Sequence, residues 1–247
     1  MDGHRTLADR AFSVLHNAIV TGVLEPGERL PIEDLAELLG MSPMPIREAL
    51  RRLDSEGMVD SVPHRGARVT ELSTEDLQEV YEARLALEPI ALRRAAERFT
   101  DAAGDRSRET LTRHALAIRQ HAVAEAWETH TAFHLSLYRA GGSRWLMRLI
   151  TPLFETSNRY RHASGLVDWH LHERAGEHEE ILQSCVDRDP VRAAGALHNH
   201  LARTANSVSR AIGGHDLFDP VPTDAPSRRS PSGKPPSSRA RRSGASR

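Results

Sequence analysis

The sequence predicts a mainly α-helical protein in which a winged helix-turn-helix precedes an all-α antiparallel bundle. Near the N-terminus, short amphipathic helices are followed by a small basic hairpin. From about residue 74 to residue 212, apolar positions recur with the helical period of roughly 3.6, and alternating β-branched runs are absent beyond the hairpin. These observations divide the chain into residues 1–72, residues 73–213 and a tail, residues 214–247.

The N-terminal unit starts with an amphipathic helix predicted over Leu7–Thr21. A turn at Pro26-Gly27 follows, and then a second short helix, Ile32–Leu39, which Gly40 closes. A third helix starts after Ser42, whose hydroxyl is placed to cap it, with Pro43 at the first helical position. The positions of the third helix that should face the core are Ile46, Ala49, Leu50 and Leu53.

The third helix carries the strongest functional signal. It is the second helix of the predicted helix-turn-helix motif, and this second helix is the one that enters the major groove of duplex DNA. We therefore predict a double-stranded DNA operator as partner, with Arg47 near the helix start best placed to reach a base edge or a phosphate. The alternative is an ordinary surface helix with Arg–Glu pairs. The residues predicted to contact DNA are Ser42, Met44, Pro45, Arg47 and Arg51 of the helix and His64, Arg65 and Gly66 of the hairpin tip.

Charge is distributed unevenly, although the net charge of the 247 residues is only −1. Residues 227–247 hold seven Lys or Arg and no acid, so subtracting them leaves −8 on residues 1–226. The tail is also rich in Ser, Pro and Gly and is predicted to be disordered. It is either a solvated tail or a non-specific phosphate contact that makes DNA affinity more dependent on salt.

Several protein classes are excluded by composition. A single cysteine, Cys185, allows neither an intramolecular disulfide nor a cysteine-based zinc site, and its helical apolar surroundings predict a buried thiol. No run approaches the roughly 18 apolar residues of a membrane span. The N-terminus lacks a signal-peptide core, so we expect a cytoplasmic protein without membrane association.

The second segment is predicted to be a bundle of about six helices. Ser73 or Thr74 caps the first of them, and Gly142-Ser143 and Asp189-Pro190 mark breaks between later ones. The predicted helices lie near 74–98, 105–122, 124–140, 144–163, 168–187 and 190–212.

Histidines are concentrated in this bundle, with eleven of the fourteen between residues 114 and 215. His130 and His134 are four residues apart and project from one helix face, while His178 and His200 lie on later helices. Three helices of a bundle can aim these four imidazoles at one point, where they would bind a divalent metal. Nitrogen ligands suit zinc first, with nickel, copper or iron as alternatives. Otherwise these histidines are solvated or hydrogen-bonded residues.

The chain resembles GntR-type transcription regulators of the FadR-like subgroup, whose C-terminal half is the FCD ligand-binding domain. The resemblance covers about residues 7–212. On the DNA side it is carried by Gly22–Gly27, Leu35-Ala36, Ser42, Pro45–Leu50 and Gly57-Met58-Val59. On the effector side it is carried by Tyr81–Arg84, Glu88, Phe133-His134, Glu177-His178, Asp187 or Asp189, and His200-Leu201.

This resemblance implies a divalent metal in the bundle, held in similar proteins by an Asp and a His four residues apart and by two later His residues. The three histidines correspond to His134, His178 and His200, but His130 stands where the Asp is usual. Either His130 binds the metal, or three histidines bind it and the effector completes the coordination. The implied effector is a small carboxylate, for which Arg84 is a second candidate partner unless it forms a structural ion pair with Glu88.

The resemblance further implies a homodimer and a repressor that releases its operator when the effector binds. A second departure, Pro43-Met44 where the family commonly has Arg-Thr, predicts an altered operator preference. Two alternatives stay open: a regulator that senses the metal directly, and a metal-dependent enzyme with an added DNA-binding module. Against the enzyme, only Thr131, Ala132 and Phe133 lie between His130 and His134, so no glutamate is placed there as a general base.

Overall fold

The computed structural model describes residues 6–62, 66–164 and 171–221 of the chain. Within these ranges it forms a small winged helix-turn-helix unit followed by a helical bundle, which confirms the predicted fold class. The elements are α1 (Leu7–Val20), β1 (Arg29–Leu30), α2 (Ile32–Leu39), α3 (Pro43–Ser55), β2 (Val59–Val62), β3 (Gly66–Val69), α4 (Thr74–Glu97), α5 (Asp101–Arg119), α6 (Val123–Ala140), α7 (Arg144–Ala163), α8 (Leu171–Val186) and α9 (Pro190–Ala211).

The DNA-binding unit packs α1, α2 and α3 against a three-stranded antiparallel sheet of order β1-β3-β2. Its core contains the four apolar residues of α3 predicted to face inward, together with Leu15 and Ile19 of α1. The hairpin pairs Val59 with Val69 and Val62 with Gly66. The third strand, β1, was not predicted, because its two residues are too few to show an alternating pattern.

The start of α3 corrects one prediction. Ser42 occupies the N-cap position with an extended backbone, but its hydroxyl accepts no capping hydrogen bond. An N-cap oxygen normally accepts from the N–H of the second or third helical residue. The third residue here is Pro45, which has no N–H, so that donor is missing. The helix therefore begins on two prolines rather than on a serine cap.

The bundle is built around α4, which contacts α9, α7, α6 and α8. Ser73 caps α4, accepting a hydrogen bond from the Asp76 N–H at 3.0 Å. The sequence had predicted either Ser73 or Thr74 as this cap. Helix α5 begins at Asp101, earlier than the predicted residue 105, because Thr100 caps it through the Ala103 N–H. Cys185 is fully buried, as predicted. Among the described residues, every helix is too short or too polar to cross a bilayer.

Residues 214–221 correct the predicted start of the disordered tail. They lie along α9, where the Asn206 side chain accepts from the N–H groups of Leu217 and Phe218 at 2.8 and 3.0 Å. The Asn199 side chain accepts from the Val221 N–H at 2.7 Å. The two asparagine amides thus replace the backbone partners that an extended segment would otherwise lack. The rest of the predicted tail, from residue 222, lies outside the described residues, as does the predicted start of α8 at residue 168.

Candidate functional site

The exposed face of α3 presents three of the residues predicted to contact DNA. Met44, Arg47 and Arg51 are spaced by three and four residues and all point to solvent, with Met44 61% exposed. Within the described part of the chain, neither arginine takes part in an ion pair. Both guanidinium groups are therefore available to phosphates or base edges, as a recognition helix requires.

Arg52 on the same helix has a structural role instead. Its guanidinium donates to Asp9 at 2.8 Å and lies 3.9 Å above the ring of Phe12, so it ties α3 to α1. The alternative of a surface helix with charge pairs thus describes Arg52, whereas Arg47 and Arg51 of the same helix lie on the exposed surface.

The wing contributes a glycine whose role is conformational. Gly66 has φ +94°, and a Cβ at this position would collide with the backbone carbonyl of Leu30. Glycine is therefore needed for β3 to approach β1. The predicted contacts His64 and Arg65 lie outside the described residues.

Four histidines of the bundle converge, as the sequence predicted. Helix α6 contributes His130 and His134, α8 contributes His178, and α9 contributes His200. Each offers one ring nitrogen such that all four atoms lie within 4.8 Å of one another. All four rings are buried, and the ring centroids of His134 and His200 are 5.1 Å apart. We call these four residues the histidine cluster.

The chemistry of the histidine cluster fits a divalent metal. Burial, followed by the positive charge of Arg161, holds the pKa of His130 well below its usual range. Burial, followed by its neighbours His178 and His200, lowers the pKa of His134 in the same way. Neutral imidazoles keep a lone pair for a metal. Both nitrogens of His134 and Nε2 of His130 are buried without a hydrogen-bond partner among the described residues, and a bound ion would remove this cost for one nitrogen of His134.

A carboxylate behind the cluster orients one ring. Glu177 Oε2 lies 2.8 Å from His200 Nδ1, while Glu177 Oε1 accepts from Arg203 Nε at 2.6 Å. A carboxylate that binds Nδ1–H directs the Nε2 lone pair of the same ring toward the opposite side, as in many metal-binding histidines. This arrangement makes His200 a strong candidate ligand.

His130 is oriented differently, by an arginine. Arg161 Nη1 lies 3.1 Å from His130 Nδ1. A guanidinium has N–H groups but no acceptor, so Nδ1 must accept and the neutral ring must carry its proton on Nε2. The Nε2 atom of His130 is then an N–H donor and has no lone pair for a metal. Of the two alternatives for His130, this favours a cluster in which the other three histidines are the metal ligands.

Each nitrogen of the Arg84 guanidinium has a hydrogen-bond partner inside the bundle. Its Nε and Nη2 donate to the two carboxylate oxygens of Glu88, at 2.5 and 3.2 Å, and Nη1 donates to Ser157 Oγ at 2.6 Å. Tyr138 donates to the same Glu88 carboxylate at 2.6 Å. These contacts are those of the structural ion pair with Glu88, and a direct role of Arg84 in effector binding stays a prediction.

The sequence did not single out two residues that border the histidine cluster, His114 and Arg161. The His114 ring lies 5.5 Å from the His130 ring, and its Nδ1 lies 3.0 Å from the Ala126 carbonyl oxygen. His114 and His178 also line a cavity of about 210 Å³ between α5 and α8. The helical spacing of His114 relative to Leu111 and Ala117 was the available signal. No sequence pattern indicated that Arg161 reaches His130.

The comparison with known proteins agrees with this architecture. Residues 7–69 match the bacterial regulatory proteins of the gntR family, and residues 79–203 match the FCD domain. The chain is 26% identical to the HTH-type transcriptional repressor GlaR of Escherichia coli over 87% of this chain and 98% of GlaR. It is 32% identical to the "Probable D-xylose utilization operon transcriptional repressor" of Paenarthrobacter nicotinovorans over 85% and 92% of the two chains.

Solved structures show the same fold. Escherichia coli McbR/YncC superposes with a TM-score of 0.75 at 24% identity, covering 84% of this chain and 99% of that one. A gntR-family winged helix-turn-helix joined to an FCD bundle is the architecture of a DNA-binding transcriptional regulator. The chain belongs to the gntR family of bacterial regulatory proteins and carries an FCD domain.

Proposed function

We propose that the chain is a homodimeric repressor whose operator affinity is controlled by a small organic acid bound at a divalent metal in the histidine cluster. The observation that carries this proposal is the convergence of four buried ring nitrogens within 4.8 Å. In an apo bundle such a cluster is costly, because the buried nitrogens of His134 lose their hydration without a hydrogen-bond partner among the described residues. Because the chain belongs to a family of transcription regulators, the expected consequence of ligand binding is a change in operator affinity.

In this proposal His134, His178 and His200 hold the metal, zinc being the ion that three imidazoles suit best. When bound, the ion acts as a Lewis acid with an open position that a carboxylate oxygen can occupy. His130, with its proton on Nε2, donates a hydrogen bond to the bound acid instead of joining the metal. The histidine that stands in place of an aspartate would then increase the affinity for anionic ligands, because it removes a negative charge from the site.

The cavity between α5 and α8 limits the size of the effector. Its volume of about 210 Å³ fits a small acid rather than a long-chain one, with Arg108 and Thr112 as polar groups beside the apolar side chains of Leu111, Ala115 and Ile118. Arg108 is a candidate for a second carboxylate of the acid, because it is one of the residues that line the cavity and its only ion pair among the described residues is a 3.4 Å contact to exposed Asp105.

Helix α7 is placed to carry the signal to the DNA-binding unit. On one side, Phe154 lies 5.7 Å from the ring of His134, and Arg161 binds His130. On the other side, Arg159 Nη2 donates to the carbonyl of Thr70 at 2.7 Å, and the Tyr160 hydroxyl donates to Asp76. Thr70 and Asp76 flank the join between the two units. An acid that favours one position of α7 would therefore change the angle of the recognition helix.

Thermal unfolding of the purified protein tests this proposal, against a panel of small mono- and dicarboxylic acids with and without a chelator. A ligand that binds only the native state raises the melting temperature. We expect a hit that disappears with chelator and in His134→Asn, and that weakens in His130→Phe although zinc stoichiometry is retained. A hit that survives both chelator and His134→Asn would refute the metal-held effector. A loss of stability on chelation with no acid response would favour a direct metal sensor.

A further inference from the structure

A second group of metal-ligating side chains lies outside the histidine cluster, between the DNA-binding unit and the bundle. It consists of His16 on α1, Glu56 at the C-terminal end of α3 and Glu155 on α7, and we call it the bridging cluster. One ligand atom from each residue lies within 4.8 Å of the other two. His16 Nε2 and Glu155 Oε2 are 3.3 Å apart.

The bridging cluster contains a carboxylate that its protein neighbours leave unsatisfied. Glu56 Oε2 is buried and has no hydrogen-bond partner among the described residues. Burial, followed by the negative charge of Glu155, raises the pKa of Glu56, whereas His16 and Arg52 act in the opposite direction. Arg52 does not neutralise the pair by contact, since its guanidinium donates to Asp9. Two carboxylates and one imidazole therefore face one another with an excess of negative charge.

We propose that the bridging cluster binds a divalent cation that joins the DNA-binding unit to the bundle. Two carboxylates and one imidazole are a ligand set that proteins use for Mn²⁺, Fe²⁺ and Zn²⁺, and the oxygen ligands favour Mn²⁺ more than the all-nitrogen histidine cluster does. The cation would give Glu56 Oε2 the partner it lacks and would offset the repulsion between the carboxylates.

The position of this site gives it a regulatory consequence. His16 and Glu56 belong to the DNA-binding unit, whereas Glu155 belongs to α7 and directly follows Phe154, which packs against His134. A cation held by all three would lock the angle between the two units. Loading of this site would then change operator affinity even when the histidine cluster is disabled, so the two metal sites can be tested separately.

Mn²⁺ titration of the full chain, with free Mn²⁺ followed by electron paramagnetic resonance, tests the proposal. Wild type is expected to bind one Mn²⁺ per protomer more than Glu56→Gln or Glu155→Gln, both of which keep the side-chain shape. Glu48→Gln is the matched control, because Glu48 is an exposed glutamate on α3, the helix that Glu56 directly follows. This variant is expected to bind as much Mn²⁺ as wild type does. The difference between wild type and Glu56→Gln should persist when both carry His134→Asn.

A second readout guards against variants that merely misfold. Saturating Mn²⁺ should raise the melting temperature of the His134→Asn protein by about 5 °C. The same addition should leave the His134→Asn/Glu56→Gln protein unchanged, with the far-ultraviolet circular dichroism of both proteins alike. Equal Mn²⁺ stoichiometry in wild type, Glu56→Gln and Glu155→Gln would overturn the proposal. A Mn²⁺ difference that vanishes in the His134→Asn background would also overturn it, because it would place the ion in the histidine cluster.

Discussion

Replacing Arg84 by Met decides whether this arginine serves the fold or the effector. In the wild type, Glu88 is fully buried and its carboxylate is neutralised by the Arg84 guanidinium. Arg84→Met keeps an unbranched side chain but removes the guanidinium, which leaves Glu88 with only the Tyr138 hydroxyl as side-chain hydrogen-bond donor among the described residues. Breaking one half of a buried ion pair costs about 3–5 kcal/mol, because the remaining charge is uncompensated. For a chain of this size that corresponds to a fall in melting temperature of roughly 10 °C.

Differential scanning calorimetry measures this fall directly. Arg93→Met, on the exposed side of the same helix, is the matched control and is expected to change the melting temperature by less than about 2 °C. The double variant Arg84→Met/Glu88→Gln should recover part of the loss, because the buried negative charge is removed with its partner. If Arg84→Met melts within about 2 °C of the wild type yet no longer responds to any carboxylic acid, the structural role is refuted and Arg84 is an effector ligand.

Three further outcomes are expected. Burial, followed by the charge of Arg161, lowers the pKa of His162 to about 4, so the unfolded state binds more protons below about pH 6.5 and stability falls on acidification. Urea unfolding should show that the free energy of unfolding falls by about 1 kcal/mol less between pH 7 and pH 5 in His162→Phe than in wild type, after allowance for the partial exposure of His162. Equal decreases in the two proteins would contradict this. Burial raises the pKa of Cys185 to about 12, so a disulfide reagent at pH 8 should react no faster than the protein unfolds, and fast native labelling would contradict this. Pro43→Arg should shift the preference of the protein in a randomised-duplex selection toward guanine-containing sites, and an unchanged selection would show that position 43 does not read DNA.

Helical periodicity predicted most of the fold, because packing in the bundle follows the apolar stripe of each helix. Helix α2 and helix α7 begin and end where the pattern placed them. The two elements that escaped prediction depend on contacts between distant residues. Strand β1 exists because Gly66 allows β3 to approach Leu30, and residues 214–221 are ordered because the Asn199 and Asn206 amides bind their backbone. Neither contact leaves a periodic signal.

The candidate site could also be predicted only in part, because local spacing is visible in the sequence and contacts between helices are not. Spacing alone placed His130 and His134 on one face of α6, but the proton position on His130 depends on Arg161, one helix away. The missing cap at Ser42 has a partial cause in the sequence, since Pro45 removes one of the two N–H groups that the hydroxyl could bind. The bridging cluster was not predicted, because it joins α1, α3 and α7, whose relative positions no local pattern determines.

Control of operator binding by the histidine cluster, through a metal-held acid, is the proposal on which the regulatory function rests. Its most direct test is fluorescence anisotropy with a duplex selected from a randomised pool, comparing wild type with His134→Asn in the presence of zinc and of the acid panel. We expect at least one acid to weaken duplex binding by about tenfold in wild type, corresponding to about 1.4 kcal/mol of coupling, and to have no effect in His134→Asn. If the two proteins bind the duplex equally under every condition and respond equally to every acid, the histidine cluster does not regulate DNA binding.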